Sequence, residues 1–263
     1  MYWFEFNGVR SDVMQTYITK RPSINPPTEE LTTHRIAGRD GVLVSARYLA
    51  PVEIEIELNF RSAIDEFEKD RIAISAWLSG SGRLILGDDD GAFYKVQSVQ
   101  INSMERTVRR IGRFHAIFTA EPYRYLFEGL EPFTMNSDLN VIYNPTNLIA
   151  HPVYTIQHAD TIIGQTVYYN RAAGYEHVPS GMFGYTVGEV GPHAPETLTI
   201  DTERQVFYGS DGSNYTYSYQ KRRGTVWDMA FEHAYITPGI NEIVKPYKNM
   251  SEWIIVPNWR TNI

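Results

Sequence analysis

The clearest pattern in the chain is Val52-Glu53-Ile54-Glu55-Ile56-Glu57-Leu58-Asn59-Phe60, nine residues in which apolar and polar positions alternate strictly. A period of two predicts a strand with one face in a core and the other in solvent. Here the solvent face is acidic. Tyr2, Phe4 and Phe6 alternate in the same way before Asn7-Gly8, a dipeptide that favours a hairpin turn. Residues 111–120 predict another strand, with Phe114, Ala116 and Phe118 on one face and Arg113 and His115 on the other. Glu121-Pro122-Tyr123 is expected to end it, because proline breaks a ladder. Residues 83–86 and 93–96 flank Gly87-Asp88-Asp89-Asp90-Gly91 and read as a hairpin with a polar loop.

After Arg61 the period turns helical. Ile64, Phe67, Ile74 and Leu78 fall on one face, with Trp77 beside it. Ser62 and Asp65 resemble a capping box, and Ser79-Gly80-Ser81-Gly82 supplies the breakers of a helix end. A single helix among strands is expected to pack across one sheet face and close the core. Upstream, residues 20–33 carry Pro22, Pro26 and Pro27, which deny ladder donors, so the segment reads as extended or loop. It leads into Arg35-Ile36-Ala37-Gly38-Arg39-Asp40-Gly41, a tight loop with two glycines. Together they form either a long arm or a plain surface loop.

The composition shifts near Glu128-Gly129-Leu130-Glu131-Pro132, which reads as a linker; twelve of the 18 tyrosines follow it. The expected division is residues 1–130 and 131–263. In the second part, short strands at 152–156, 165–169, 196–201, 205–208 and 253–256, with turns between them, predict a β-sandwich. The fold class is therefore mainly β, with one helix in the first domain.

Charge and chemistry narrow the function. Net charge is −7, and neither half is basic: 16 basic against 18 acidic side chains up to residue 130, 8 against 13 after it. A groove that holds nucleic acid by neutralising phosphates is disfavoured. The chain has no cysteine, which excludes disulfides and thiolate metal sites and leans toward folding in a reducing cytoplasm. Its start lacks the basic and apolar regions of a signal peptide, and no window is apolar enough for a membrane span, so a soluble protein is expected. The seven histidines show no ligand spacing, and the three aspartates at 88–90 lack the spaced oxygens of a calcium loop. No nucleophile elbow, phosphate loop or dinucleotide fingerprint occurs. No catalytic residue, cofactor or metal is predicted. The tyrosine-rich second half allows sugar binding by ring stacking, a rigid structural module, or aromatics that fill a sandwich core; a glycan-cleaving carboxylate pair remains a third class.

Laid out in order, these residues resemble the distal tail (Dit) family of long-tailed siphovirus bacteriophages. The likeness rests on Phe4-Glu5-Phe6-Asn7-Gly8-Val9, Ile36-Ala37-Gly38-Arg39-Asp40-Gly41 after a proline-bearing arm, strand 52–60, Ala76-Trp77-Leu78 and Gly112-Arg113-Phe114. It continues through His151-Pro152-Val153-Tyr154, Leu198-Thr199-Ile200-Asp201, Pro238-Gly239-Ile240-Asn241 and Pro257-Asn258-Trp259-Arg260. The resemblance implies a ring-forming N-terminal belt domain, β-rich and barrel-like with one helix, and a galectin-like or carbohydrate-module-like C-terminal sandwich. It implies a homohexameric ring at the tail tip of the virion, made in the host cytoplasm. The ring would join the tail tube and tape measure proteins to the tail-tip and receptor-binding proteins, with DNA as passing cargo. The chain is too short for the inserted sugar-binding modules of some relatives. The alternative is a carbohydrate-binding protein that recognises the host surface through its second domain. A subunit contact is expected at Arg35, Gly38, Arg39, Asp40, Gly41, Glu53, Glu55 and Glu57. Arg35, Arg39 and Arg47 would face the glutamates across it; alternatively, Arg39 and Asp40 tie down their own loop.

Overall fold

The computed structural model describes residues 2–135, 139–157, 169–172, 197–214, 235–244 and 253–263. The chain folds into two compact units, Met1–Tyr125 with Thr261–Ile263, and Leu126–Arg260. The first unit thus ends five residues before the expected division, and the last three residues return to it. The fold is mainly β, with one α-helix among the described residues.

The first unit contains β1 (Phe4–Phe6), β2 (Val9–Arg10), β3 (Thr16–Lys20), β4 (Glu29–His34), β5 (Leu43–Leu49), β6 (Val52–Arg61), helix α1 (Phe67–Trp77), β7 (Gly82–Leu86), β8 (Asp89–Ile101), β9 (Glu105–Val108) and β10 (Ile111–Leu126). Its main sheet runs β2-β1-β7-β8-β10-β6-β3 and curls into a half-barrel. Asn7 and Gly8 form the expected two-residue turn, both at positive φ, between Phe6 and its cross-strand partner Val9. The Asn7 amide then grips the next hairpin: Arg83 N donates to Asn7 Oδ1 at 3.0 Å, and Asn7 Nδ2 donates to the Ser81 carbonyl at 3.2 Å.

β6 alternates as its sequence predicts. Val52, Ile54, Ile56, Leu58 and Phe60 are buried, and β10 answers with buried Phe114, Ala116, Phe118 and Ala120. Full burial of each large apolar side chain contributes about 1.5–3 kcal/mol. Gly112 has to be glycine, because a Cβ there would run into the Phe60 ring. β10 does not end at Pro122 but continues to Leu126. Its last pair with β6 is Ala120↔Val52, so the proline lies beyond that ladder and breaks none of its bonds.

Helix α1 covers the core with Phe67, Ile74 and Leu78; Trp77 stacks on Phe4 at 5.3 Å and donates through Nε1 to the Phe6 carbonyl at 3.1 Å. Two expectations need correction. Ile64 precedes the helix and is exposed. Ser62 caps nothing; its hydroxyl donates to the Asp70 carboxylate at 2.6 Å, and Glu66 stands at the N-cap without a side-chain bond. The helix starts at Phe67, five residues beyond Ser62, so Ser62 does not stand at the N-cap position from which a side chain reaches the free N–H groups.

The second unit begins with a 3₁₀ turn, Phe127–Leu130, where a linker was expected. Gly129 is buried there against Trp259, whose backbone leaves no room for a Cβ. The unit has β11 (Phe133–Met135), β12 (Leu139–Asn144), β13 (Val153–Gln157), β14 (Tyr169–Ala172), β15 (Thr197–Asp201), β16 (Val206–Gly209), β17 (Gly239–Val244) and β18 (Trp253–Val256); β19 (Arg260–Asn262) leads back to the first unit. The expected strand at 165–169 lies outside the described residues except for Tyr169. The strands form two antiparallel sheets, β11-β18-β13-β15-β16 and β12-β17-β14, as a sandwich requires. Tyr154, Leu198, Ile200, Trp253 and Ile255 are buried in the first sheet, Ile142 and Ile243 in the second. Buried amides close the turns: Asn241 accepts from Thr237 N and Oγ1 at 3.0 and 2.9 Å and donates to the Thr237 and Gly239 carbonyls.

Candidate functional site

The region expected at a subunit contact falls on two very different structures. Arg35, Gly38, Arg39, Asp40 and Gly41 sit at the tip of a hairpin made by β4 and β5. Glu53, Glu55 and Glu57 sit on the outward face of β6, in the main sheet.

The hairpin pairs Glu29 with Leu49 at its root and His34 with Leu43 near its tip. A bulge at Ser45, whose hydroxyl donates to the Thr32 carbonyl at 3.2 Å, shifts the register between Thr32 and Thr33. All residues of β4 are exposed, and all of β5 up to Tyr48. The exposed side chains include Leu31, Ile36, Val42, Leu43, Val44 and Tyr48. The bulge and alternation put apolar groups on both faces: Leu31 and Val44 on one, Leu43 and Tyr48 on the other. Among the described residues nothing covers either face. A two-stranded ribbon of this kind is marginal by itself in water, and its apolar exposure is the mark of a contact surface.

At the tip, Gly38 and Gly41 both adopt φ near +80°, where glycine is favoured. Arg39 N donates to the Ile36 carbonyl at 3.2 Å, so the backbone closes the turn. Among the described residues, the side chains of Arg35, Arg39 and Asp40 make no hydrogen bond or ion pair. The reading in which Arg39 and Asp40 tie down their own loop therefore gains no support; the glycines and backbone do that work.

The acidic face of β6 is already occupied from within its own sheet. Arg113 lies 3.3 Å from Glu57, His115 lies 2.9 Å from Glu55, and Thr19 donates its hydroxyl to Glu57 at 3.3 Å. Arg47 pairs instead with Glu29 across the hairpin at 3.4 Å. Among the described residues nothing joins Arg35 or Arg39 to the glutamates. Within the chain the pairs are diagonal: Arg113 stands opposite Asn59 and reaches Glu57, and His115 stands opposite Glu57 and reaches Glu55.

One feature of β6 escaped the sequence. β3 pairs with Glu57–Phe60 alone. On the side away from β10, no described strand pairs with residues 52–56. The cause is the run 21–28, where Pro22, Pro26 and Pro27 interrupt the ribbon between its β3–β6 base and its β4–β5 arm; Ala50 N donating to the Thr28 carbonyl at 2.9 Å restarts it. An unpaired edge in a central strand is a template for another strand.

Chemistry is accounted for by structure elsewhere. Asp88 and Asp89 each face an arginine, Arg21 and Arg124, at 3.0 Å. The Tyr2 hydroxyl is buried beside Asp88, and both the burial and that carboxylate hold its pKa above the ordinary phenol range. Among the described residues no group of three metal-ligating side chains occurs, and no helix is long and apolar enough to cross a membrane. In the second unit the described aromatics Tyr154, Trp253 and Trp259 are buried, while Tyr143 is 65% exposed opposite Ile240.

No family model matches the chain, and no curated protein matches it in sequence. Solved structures do. Two phage P2 baseplate structures in the activated conformation, one with Ca and one with Sr, match at 11% identity. They cover 100% and 97% of this chain and 99% and 98% of theirs, with TM-scores of 0.44 and 0.40, too low to carry an argument. The crystal structure of SPP1 Dit (gp 19.1), described as a paradigm of the hub adsorption apparatus in phages that infect Gram-positive bacteria, matches over 97% of both chains with a TM-score of 0.58 at 10% identity. Over nearly its whole length, the chain has the fold of SPP1 Dit.

Proposed function

We propose that this protein is a structural, non-catalytic hub of a phage tail tip. Six copies close into a ring that joins the tail tube to the adsorption apparatus and lets DNA pass. The observation that carries the reading is a fold shared with SPP1 Dit along 97% of both chains. A second feature supports self-assembly: an exposed apolar arm and an unpaired strand edge lie within one stretch of sequence, residues 29–56.

In this reading the first unit forms the ring, and the second serves contacts with tail-tip and receptor-binding proteins. Arg35, Gly38, Arg39, Asp40 and Gly41 at the arm tip lie at the subunit contact. The edge beside Glu53 and Glu55 pairs with a neighbour's backbone. Glu57, held by Arg113, fixes the base of the arm. Ring closure needs a heterologous contact, in which two different surfaces of the chain meet. The lumen passes DNA without gripping it, since neither half of the chain is basic.

Native mass spectrometry and negative-stain imaging test the proposal. The expected particle has a central hole and a mass of about 180 kDa, six times the chain mass of 30.2 kDa. Replacing Arg39 and Asp40 together by alanine is expected to weaken the ring. Particles that stay single at high concentration would end the reading; strong, salt-sensitive DNA retention on a filter would end the part about the lumen.

A further inference from the structure

The arm, its tip and the open edge belong to one contiguous stretch, so they supply one of the two surfaces a closed ring needs. The other must lie elsewhere on the chain. Helix α1 offers it.

The first turns of α1 have charged outward positions, as a surface helix should: Glu68, Lys69 and Arg71 are all at least partly exposed. From Ile72 to Ser79 the chain carries no charge at all. Ile74 and Leu78 point into the core, yet Ile72, Ala73 and Ala76 face outward, and Ile72 is 61% exposed. A helix that is apolar all round is one that is covered all round. In the single chain, the outer half of this one is bare. The two alanines leave it flat, so a β-ribbon can approach closely.

We infer that the outward face of α1 receives the arm tip of a second copy of this chain, with Ile36, Val42 and Leu43 packed over Ile72, Ala73 and Ala76. This rests on the ring reading above and names the receiving surface. Charge selects the occupant. Arg35 and Arg39 flank the apolar tip and have no carboxylate partner among the described residues. Residues 65–71, which flank the apolar part of the helix, hold four carboxylates and two cations. Three of those carboxylates are held loosely: Asp65–Arg109 spans 3.7 Å and Glu66–Lys69 spans 3.5 Å, and Glu68, though 2.8 Å from Arg71, is 70% exposed; Asp70 is engaged by Ser62. Exposed pairs of this kind are worth about 0–1 kcal/mol and exchange partners easily.

The chain has no cysteine, so introduced ones report cleanly. Full-length Leu43→Cys and mass-tagged Ala76→Cys are mixed, allowed to assemble and oxidised. The expected product is a disulfide-linked heterodimer in high yield, with little of it when Tyr143→Cys replaces Leu43→Cys. Separately, Ile72→Glu with Ala76→Glu should raise the concentration for half-assembly about tenfold or more while leaving the thermal midpoint of the chain unchanged, since both side chains are exposed. If the parent assembles, and the double glutamate variant assembles equally well with no Leu43–Ala76 cross-link, α1 is not the receiving surface and the ring reading survives. A parent that stays monomeric overturns both.

Discussion

The β3–β6 base and the β4–β5 arm are two stretches of what is nearly one antiparallel ribbon, and they differ in what holds them. At the base, β6 hides one face in a core of phenylalanines and isoleucines and is braced by β10. The arm has a complete ladder of its own, but both of its faces are bare. Backbone pairing is therefore similar in the two, while apolar burial is not. Since hydrophobic burial dominates folding free energy, the base is stable by itself, and the arm depends on whatever covers it. The difference separates folding from assembly: substitutions in the base should read out in the stability of one chain, substitutions in the arm in the association of several.

The largest effect should come from Phe118→Ala. Its ring meets Phe4 and Phe6 at 5.9 and 5.5 Å in the centre of the core. Urea unfolding should show a loss of about 3–5 kcal/mol, and a loss below 1 kcal/mol would mean that the base is not the stable body described. Next, Gly8 and Gly38 have the same backbone conformation, φ +80° and +81°, with open space where a Cβ would go. Alanine strains either turn by about 1–2 kcal/mol. Gly8→Ala should lower the unfolding midpoint, whereas Gly38→Ala should leave it in place, because the arm does not unfold with the base. Equal shifts would merge the two regions into one cooperative unit.

A smaller effect belongs to Glu57 and Arg113. A double-mutant cycle to alanine should give a coupling of about 0–1 kcal/mol that shrinks in high salt, since both side chains reach solvent. The smallest effect on the single chain is expected for Leu43→Asp with Tyr48→Asp. Both positions are exposed, at 43% and 53%, and denaturation should move by no more than about 0.5 kcal/mol. The same variant should lose the oligomer by native mass spectrometry; retention of the oligomer would show that the arm is not the surface that assembles.

The contrast also explains what could be read from residues alone. Strict alternation announced β6 and the inner part of β10, because one buried face imposes a period of two. The β4–β5 hairpin carries no such period. Its apolar groups lie on both faces, and the bulge at Ser45 shifts the alternation midway. The bonds that replaced the expected cap at Ser62, and the passage of β10 beyond Pro122, depend on distant residues that no local pattern names. The acidic stripe of β6 was visible, but its partners within the chain, Arg113 and His115, were not, because which charges face each other follows from strand order. The tip loop was legible through its two glycines. The open edge of β6 was not, since three prolines had to be recognised as removing the rungs of a particular ladder.

Those missing rungs have a mechanical consequence. Antiparallel strands that are pulled at one end part like a zipper, each broken bond exposing the next to load. Between the arm and the base of this ribbon there is a stretch, residues 21–27, with no cross-strand backbone bonds to pass the load along. A tug on the arm therefore spends itself on the hairpin and stops before Lys20 and Glu57, where the paired base begins. Three prolines make the ribbon a fused circuit, in which the arm can be pulled apart without unravelling the half-barrel behind it.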